Sequence, residues 1–107
     1  MKIEELGDVI ASRRYTVSNI EPPHEIIVTV GRPQRFPDST DFFTPYQVRG
    51  IGDEKIRYAG GTDAVQSLQL SMTMIGADLK AYNEILLGNM RWEGDEIGDL
   101  GFPIPGL

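Results

Sequence analysis

The stretch from Gly60 to Leu87 limits the possible folds more than any other part of the chain. It opens on Gly60-Gly61-Thr62-Asp63 and is closed by Gly88-Asn89. Between these markers Val65, Leu68, Met72, Ile75 and Leu79 recur at steps of three and four, the spacing that lines one face of an α-helix. Asp63 is placed to cap that helix with its carboxylate, Gln66 can reach back to complete a capping box, and Thr62 is the competing cap. An unbroken helix from Asp63 to Leu87 would be about 37 Å long. An eight-residue strand spans only about 27 Å, so the helix must overhang its sheet or bend, with Gly76 and Tyr82-Asn83 as the weak points.

Strand patterns precede it. Val9, Ala11, Arg13, Tyr15 and Val17 alternate with Ile10, Ser12, Arg14 and Thr16 up to about Ser18, the period of two expected of a half-buried strand. Pro22-Pro23 then interrupts pairing, since proline has no N–H to give. Glu25 to Gly31 is rich in Ile and Val, which pack well on a pleated surface, and Ile26, Val28 and Val30 are expected to face the helix. Tyr46 to Arg49 and Lys55 to Ala59 read as two short strands joined by Gly50 to Glu54. Their alternation points Tyr46, Val48, Ile56 and Tyr58 inward and leaves Gln47, Arg49, Lys55 and Arg57 on a basic opposite face. Arg32 to Pro45 reads as a long loop whose Phe36, Phe42 and Phe43 either tuck under the sheet edge or form an aromatic patch. Met1 to Gly7 reads as a polar lead-in.

These elements define an α+β fold: a four-stranded, mainly antiparallel sheet with one long helix packed on one face, in two layers, as a single domain over residues 1–107. The C-terminal stretch carries Trp92, Ile97, Leu100, Phe102, Ile104 and Leu107, too many large apolar groups for a free tail, so an ordered tail is expected. A second helix stripe of Leu70, Met74, Ala77, Ala81 and Ile85 lies roughly 150° from the first. Either the tail covers it, with Trp92 and Phe102 as anchors, or it is a surface for self-association or a protein partner.

Composition narrows the chemistry. The chain has no cysteine, which removes disulfides, thiolate catalysis and Cys-ligated zinc together. Its single histidine, His24, follows Pro22-Pro23 in no recognisable catalytic setting, and no serine sits in a nucleophile elbow. Glu93, Asp95, Glu96 and Asp99 are rich in oxygen but lack the alternation of a calcium loop, so neither a metal nor a cofactor is expected. Gly60-Gly61-Thr62-Asp63 leads from a strand into a helix, but the Walker lysine is missing and Asp63 would repel phosphate. A net charge of −6 disfavours nucleic acid. No apolar run reaches the roughly 20 residues of a membrane span, and the acidic N-terminus is not a secretory signal. A cytoplasmic protein without enzymatic activity is the expectation.

Pro45-Tyr46-Gln47-Val48-Arg49-Gly50, then Ala59, Gly61 and Asp63-Ala64-Val65-Gln66-Ser67-Leu68-Gln69-Leu70, then Trp92 and Gly98-Asp99-Leu100-Gly101-Phe102-Pro103 resemble a family of small bacterial proteins known as a domain of unknown function. The resemblance covers somewhat over half the chain and implies no activity. In layout, a small sheet followed by one helix is also similar to HicB-like antitoxins. The functional expectation is a small protein-interaction module of the immunity or antitoxin kind, acting through the second helix stripe. The alternative is a ligand-binding or enzymatic domain using the loop from Phe36 to Tyr46 and the helix N-terminus. Candidate contact residues across the two readings are Phe36, Phe42, Phe43, Tyr46, Asp63, Gln66, Gln69, Leu70, Met74 and Trp92.

Overall fold

A computed structural model describes residues 2–93 and 98–103 of the chain. Its one α-helix, α1, spans Ala64–Ile85. The Asp63 carboxylate accepts the Gln66 backbone N–H at 2.7 Å, while the Gln66 side-chain oxygen accepts the Thr62 N–H at 2.7 Å and the Thr62 hydroxyl at 3.1 Å. The capping box therefore forms on Asp63 and enlists Thr62 as its second half. At the other end Leu87 takes a left-handed φ of 57°. Leu87 N–H donates to Glu84 O and Gly88 N–H to Asn83 O, the paired closure of a Schellman motif.

Strands β1 (Val9–Val17), β2 (His24–Gly31), β3 (Gln34–Arg35), β4 (Phe42–Arg49), β5 (Arg57–Gly61) and β6 (Met90–Arg91) form one antiparallel sheet. β2 lies between β1 and β4. β4 pairs with β2 from Arg49 to Tyr46 and then with β3 at Phe43 and Phe42, while its other edge pairs with β5. β6 extends the far edge of β1 at Thr16 and Val17. The sheet thus has two short strands more than the four expected. Both are two-residue strands, too short to show a period.

The expected loop from Arg32 to Pro45 is instead the β3–β4 hairpin. Phe36 N–H donates to Asp41 O at 3.0 Å and the Asp41 N–H to the Ser39 hydroxyl at 3.0 Å, so only the polar tip is a turn. Pro45, which cannot donate to a ladder, sits opposite the gap where β2 ends and β3 begins, the kind of position a strand proline tolerates.

The main core lies between sheet and helix: Tyr15, Val17, Ile26, Val28, Val30, Tyr46, Val48, Ile75, Leu79 and Met90 are buried together. The expected inward set on β2 is correct. On the helix the buried line is Ser67, Ser71, Ile75, Gly76 and Leu79, whereas Val65 is 63% exposed. The apolar pattern misplaced the helix's contact by about one position at its N-terminal end, because two serines hold that part of the interface. Ser71 Oγ donates to Thr44 O at 2.6 Å and accepts the Ala59 N–H at 3.1 Å, while Ser67 Oγ and Thr44 Oγ1 lie 2.8 Å apart. Small residues let the helix approach closely: a Cβ on Gly61 would come within 2.5 Å of Ser67 N.

The opposite sheet face is not a plain basic surface. Tyr46 is opposite Arg57, and Pro45 opposite Tyr58; directly opposed residues share a face, so Arg57 lies on the helix side with Tyr46 and Tyr58 points away. A one-residue change of register flips every side chain of a strand, and the β4–β5 connection runs on to Ile56 rather than ending at Glu54. Asp53 pins that connection by accepting the Lys55 N–H at 3.0 Å and an Arg57 N–H at 3.2 Å. Its carboxyl is held below the usual carboxylate range, first by the Lys55 backbone N–H.

On the far face Tyr58 packs with Phe36 and Phe43, the three ring centroids 5.0 to 5.8 Å apart. The lead-in is not merely polar either. Leu6 O passes so near Gly31 that a Cβ there would be 2.4 Å away. Ile3 lines a depression with Ile56 and Tyr58, so the N-terminal segment adds partial cover beyond the two expected layers.

Candidate functional site

Two features beyond the core stand out: the way Gly98–Pro103 is held and what the outer face of α1 leaves open. Residues 98–103 run between β1 and α1, and three side chains meet three successive backbone carbonyls. Trp92 Nε1–H donates to Asp99 O at 2.6 Å, Tyr15 Oη–H to Leu100 O, and Arg13 Nη1–H to Gly101 O at 3.1 Å. The Arg13 guanidinium lies 4.2 Å from the Trp92 ring centroid and 5.2 Å from that of Phe102, within the range of cation–π attraction. Leu100, Phe102 and Trp92 pack against the main core. Gly76 supplies the missing volume on the helix side, since a Cβ there would fall 1.8 Å from Pro103 O.

Each anchor is positioned by regular structure. Arg13 and Tyr15 come from β1, with Tyr15 fully buried. Trp92 follows β6, whose Met90 N–H is taken by the Asn83 side chain at 3.0 Å, tying the helix end to the strand. The Asp99 carboxylate accepts the Gly101 N–H at 2.9 Å and shapes the turn at φ +78°. An ordered tail is thus present over its described part. Ile97, Ile104 and Leu107, and the acidic residues Asp95 and Glu96, lie outside the described residues.

This segment does not cover the second helix stripe. Leu70 is 44%, Met74 37% and Ile85 71% exposed, and Ala77 and Ala81 are exposed between them. As far as Met74 the stripe is flanked by Gln66, Gln69 and Thr73, and α1 carries no charged residue before Asp78; beyond Ala77 the exposed Lys80 and Glu84 lie beside it. A solvent-facing helix normally carries charge on that side.

The remaining candidates fall in separate places. Phe36 and Phe43 belong to the far-face ring cluster, and Phe42 is half-buried with Arg35 5.6 Å from its ring. Tyr46 is buried on the helix side, where its hydroxyl donates to Asp78 Oδ2 at 2.7 Å. Burial first, and then Asp78, raises its phenol well above the ordinary range. Asp63 and Gln66 are engaged with each other at the helix start, and Gln69 is exposed. The Phe36–Tyr46 segment, Asp63, Gln66 and Gln69 are therefore not brought into one pocket.

A family model described as a domain of unknown function, DUF6968, matches residues 11–104. The chain belongs to this family. No curated protein and no solved structure matches it. The match takes in both features, the outer helix face and the Gly98–Pro103 segment with its anchors on β1 and just after β6. Among the described residues of this DUF6968 domain no helix is long and apolar enough to cross a membrane, and no group of three His, Cys, Asp or Glu side chains is placed to hold a metal.

Arg13, Tyr15, Gly76 and Asn83 were missed by sequence reasoning as parts of a site. For Gly76 the one available signal was a glycine inside a helical pattern, which costs about 1 kcal/mol against alanine and implies a packing reason.

Proposed function

We propose that the protein is a protein-interaction module that docks a partner protein on the outer face of α1, in the manner of an immunity protein or antitoxin that acts by occupying a partner's surface in the cytoplasm. The observation that carries this reading is the uncharged, exposed stripe of Leu70, Met74, Ala77 and Ala81. The described tail leaves it open, although that tail is ordered and packs on an adjacent side of the same helix. Met74 gives such a surface adaptable contact, and helix-in-groove docking reads anchors at this spacing.

The test is recovery of the full chain from its native source beside a Leu70→Glu/Met74→Glu variant. A stoichiometric partner that stays with the wild type and is lost from the variant, with unchanged circular dichroism, is the expected result. Light scattering on the wild type separates the alternatives, since a mass of twice the monomer would make the partner a second copy. A chain that comes through alone, or a partner retained by the variant, overturns the reading.

A further inference from the structure

We propose that the trough between β1 and α1 is a peptide-binding groove, that Gly98–Pro103 is its resident ligand in cis, and that it accepts in exchange a partner segment of the same Leu-Gly-Phe-Pro chemistry and the same turn at its glycine. This groove is distinct from the outer helix face. The segment makes no strand pairing among the described residues; its backbone is instead read by the three donors Trp92, Tyr15 and Arg13 on successive carbonyls. Donors of this kind hold any chain that presents its carbonyls at the right spacing, whichever molecule it comes from.

Side-chain selection is equally explicit. At Gly101 a Cβ would stand 2.4 Å from Arg13 Nη1 and 3.0 Å from the Trp92 ring, at a φ of +78° that disfavours other residues. Phe102 fills the position beside the Arg13 guanidinium, and the carbonyl of Pro103 needs the bare backbone of Gly76. The groove is also larger than its occupant. A cavity of about 430 Å³ remains between the segment and Lys80, Asn83 and Glu84 of α1, and one of about 120 Å³ between it and Ala11, Val28 and Met72. The resident segment therefore leaves contact unmade on both sides, which an incoming chain with larger side chains flanking the Gly-Phe-Pro core would make.

The competition is set by effective concentration: a tethered ligand acts as if present at about millimolar, so exchange requires the resident segment to be weakened or the partner to bind better. The experiment uses the full chain carrying Gly101→Ala and Phe102→Ala, which leaves Arg13, Tyr15, Trp92 and Gly76 in place. The probe is a blocked peptide of sequence GDLGFP. Trp92 is the only tryptophan, so its emission reports the groove. In the variant the emission shifts red. GDLGFP restores it saturably and raises the melting temperature, and GDLAFP binds at least about tenfold more weakly. An emission that does not shift, no restoration at millimolar peptide, or equal action of the two peptides overturns the proposal. Should the double variant not fold, the full chain carrying Phe102→Ala alone, whose resident segment is weakened, is titrated with excess GDLGFP and read by NMR: shifts at the Trp92 indole N–H and the Gly76 amide support exchange, and their absence rejects it.

Discussion

Pro103 O lies 1.8 Å from the point where a Cβ on Gly76 would sit, so the middle of α1 and the C-terminal segment share a space that only glycine leaves free. Two principles give Gly76→Ala opposite signs. Helix propensity alone would stabilise it by roughly 1 kcal/mol, whereas forcing a methyl into an occupied position costs about 1–3 kcal/mol. The contact decides, and the variant is expected to unfold at lower urea, with Trp92 emission shifted red in the folded state as the segment is displaced.

The second prediction concerns Tyr46, 1% exposed, and Asp78. Tyr46→Phe removes a hydrogen bond to a carboxylate that is itself half-buried, for an expected loss of about 1–2 kcal/mol. The substitution also changes alkaline behaviour. The phenol's pKa is raised in the folded state, so its contribution is complete below the unfolded value near 10 and falls as pH rises above it. That decline reaches about 1.4 kcal/mol per pH unit. Urea midpoints from pH 9 to 11 should fall more steeply in the wild type than in Tyr46→Phe; parallel profiles would contradict the assignment.

The long helix with its cap, the central strands and the inward line on β2 were legible because each rests on a local, repeated signal. Asp63 and Gln66 met as the spacing required. What was not legible depended on partners far apart in sequence. Ser67 and Ser71 fall outside the apolar stripe, and their place in the interface appears only when Thr44 and Ala59 arrive from other strands to satisfy them. Tyr58 was assigned to the wrong face because parity follows from pairing with Pro45, not from its own neighbours. Of the candidate site, the outer stripe could be drawn on a helical wheel, but the anchors Arg13 and Tyr15 looked like ordinary alternating strand residues. Their role appears only when residues 99–101 are placed beside them.

Ser71 gives a third prediction. Its hydroxyl bridges Ala59 N–H on β5 and Thr44 O on β4, and all three residues are buried. Ser71→Ala leaves both backbone groups without this partner in a site closed to water, for an expected loss of about 1–3 kcal/mol. Ser67→Ala should cost less, because it leaves one side-chain hydroxyl, that of Thr44, without this partner rather than two backbone groups. Chemical denaturation of the two variants checks the order, and an equal or reversed order would mean that the serines act only by being small.

The helix C-terminus supplies a prediction of the opposite sign. Leu87, not Gly88, occupies the first left-handed position of the Schellman closure, at φ 57°. A left-handed conformation costs an L-residue roughly 1–2 kcal/mol, and glycine escapes that cost while losing about 0.5–1 kcal/mol through its greater freedom when unfolded. Leu87 is 82% exposed, so little burial is lost when its side chain is removed. Leu87→Gly should therefore stabilise the protein by about 0.5–1 kcal/mol, read as a higher melting temperature. The control is Leu86→Gly one residue earlier, where φ is −88° and the side chain packs against the core. That change relieves no strain and removes contact, so it must destabilise. If both substitutions move the melting temperature in the same direction, the left-handed position of Leu87 is not what limits this end of the helix.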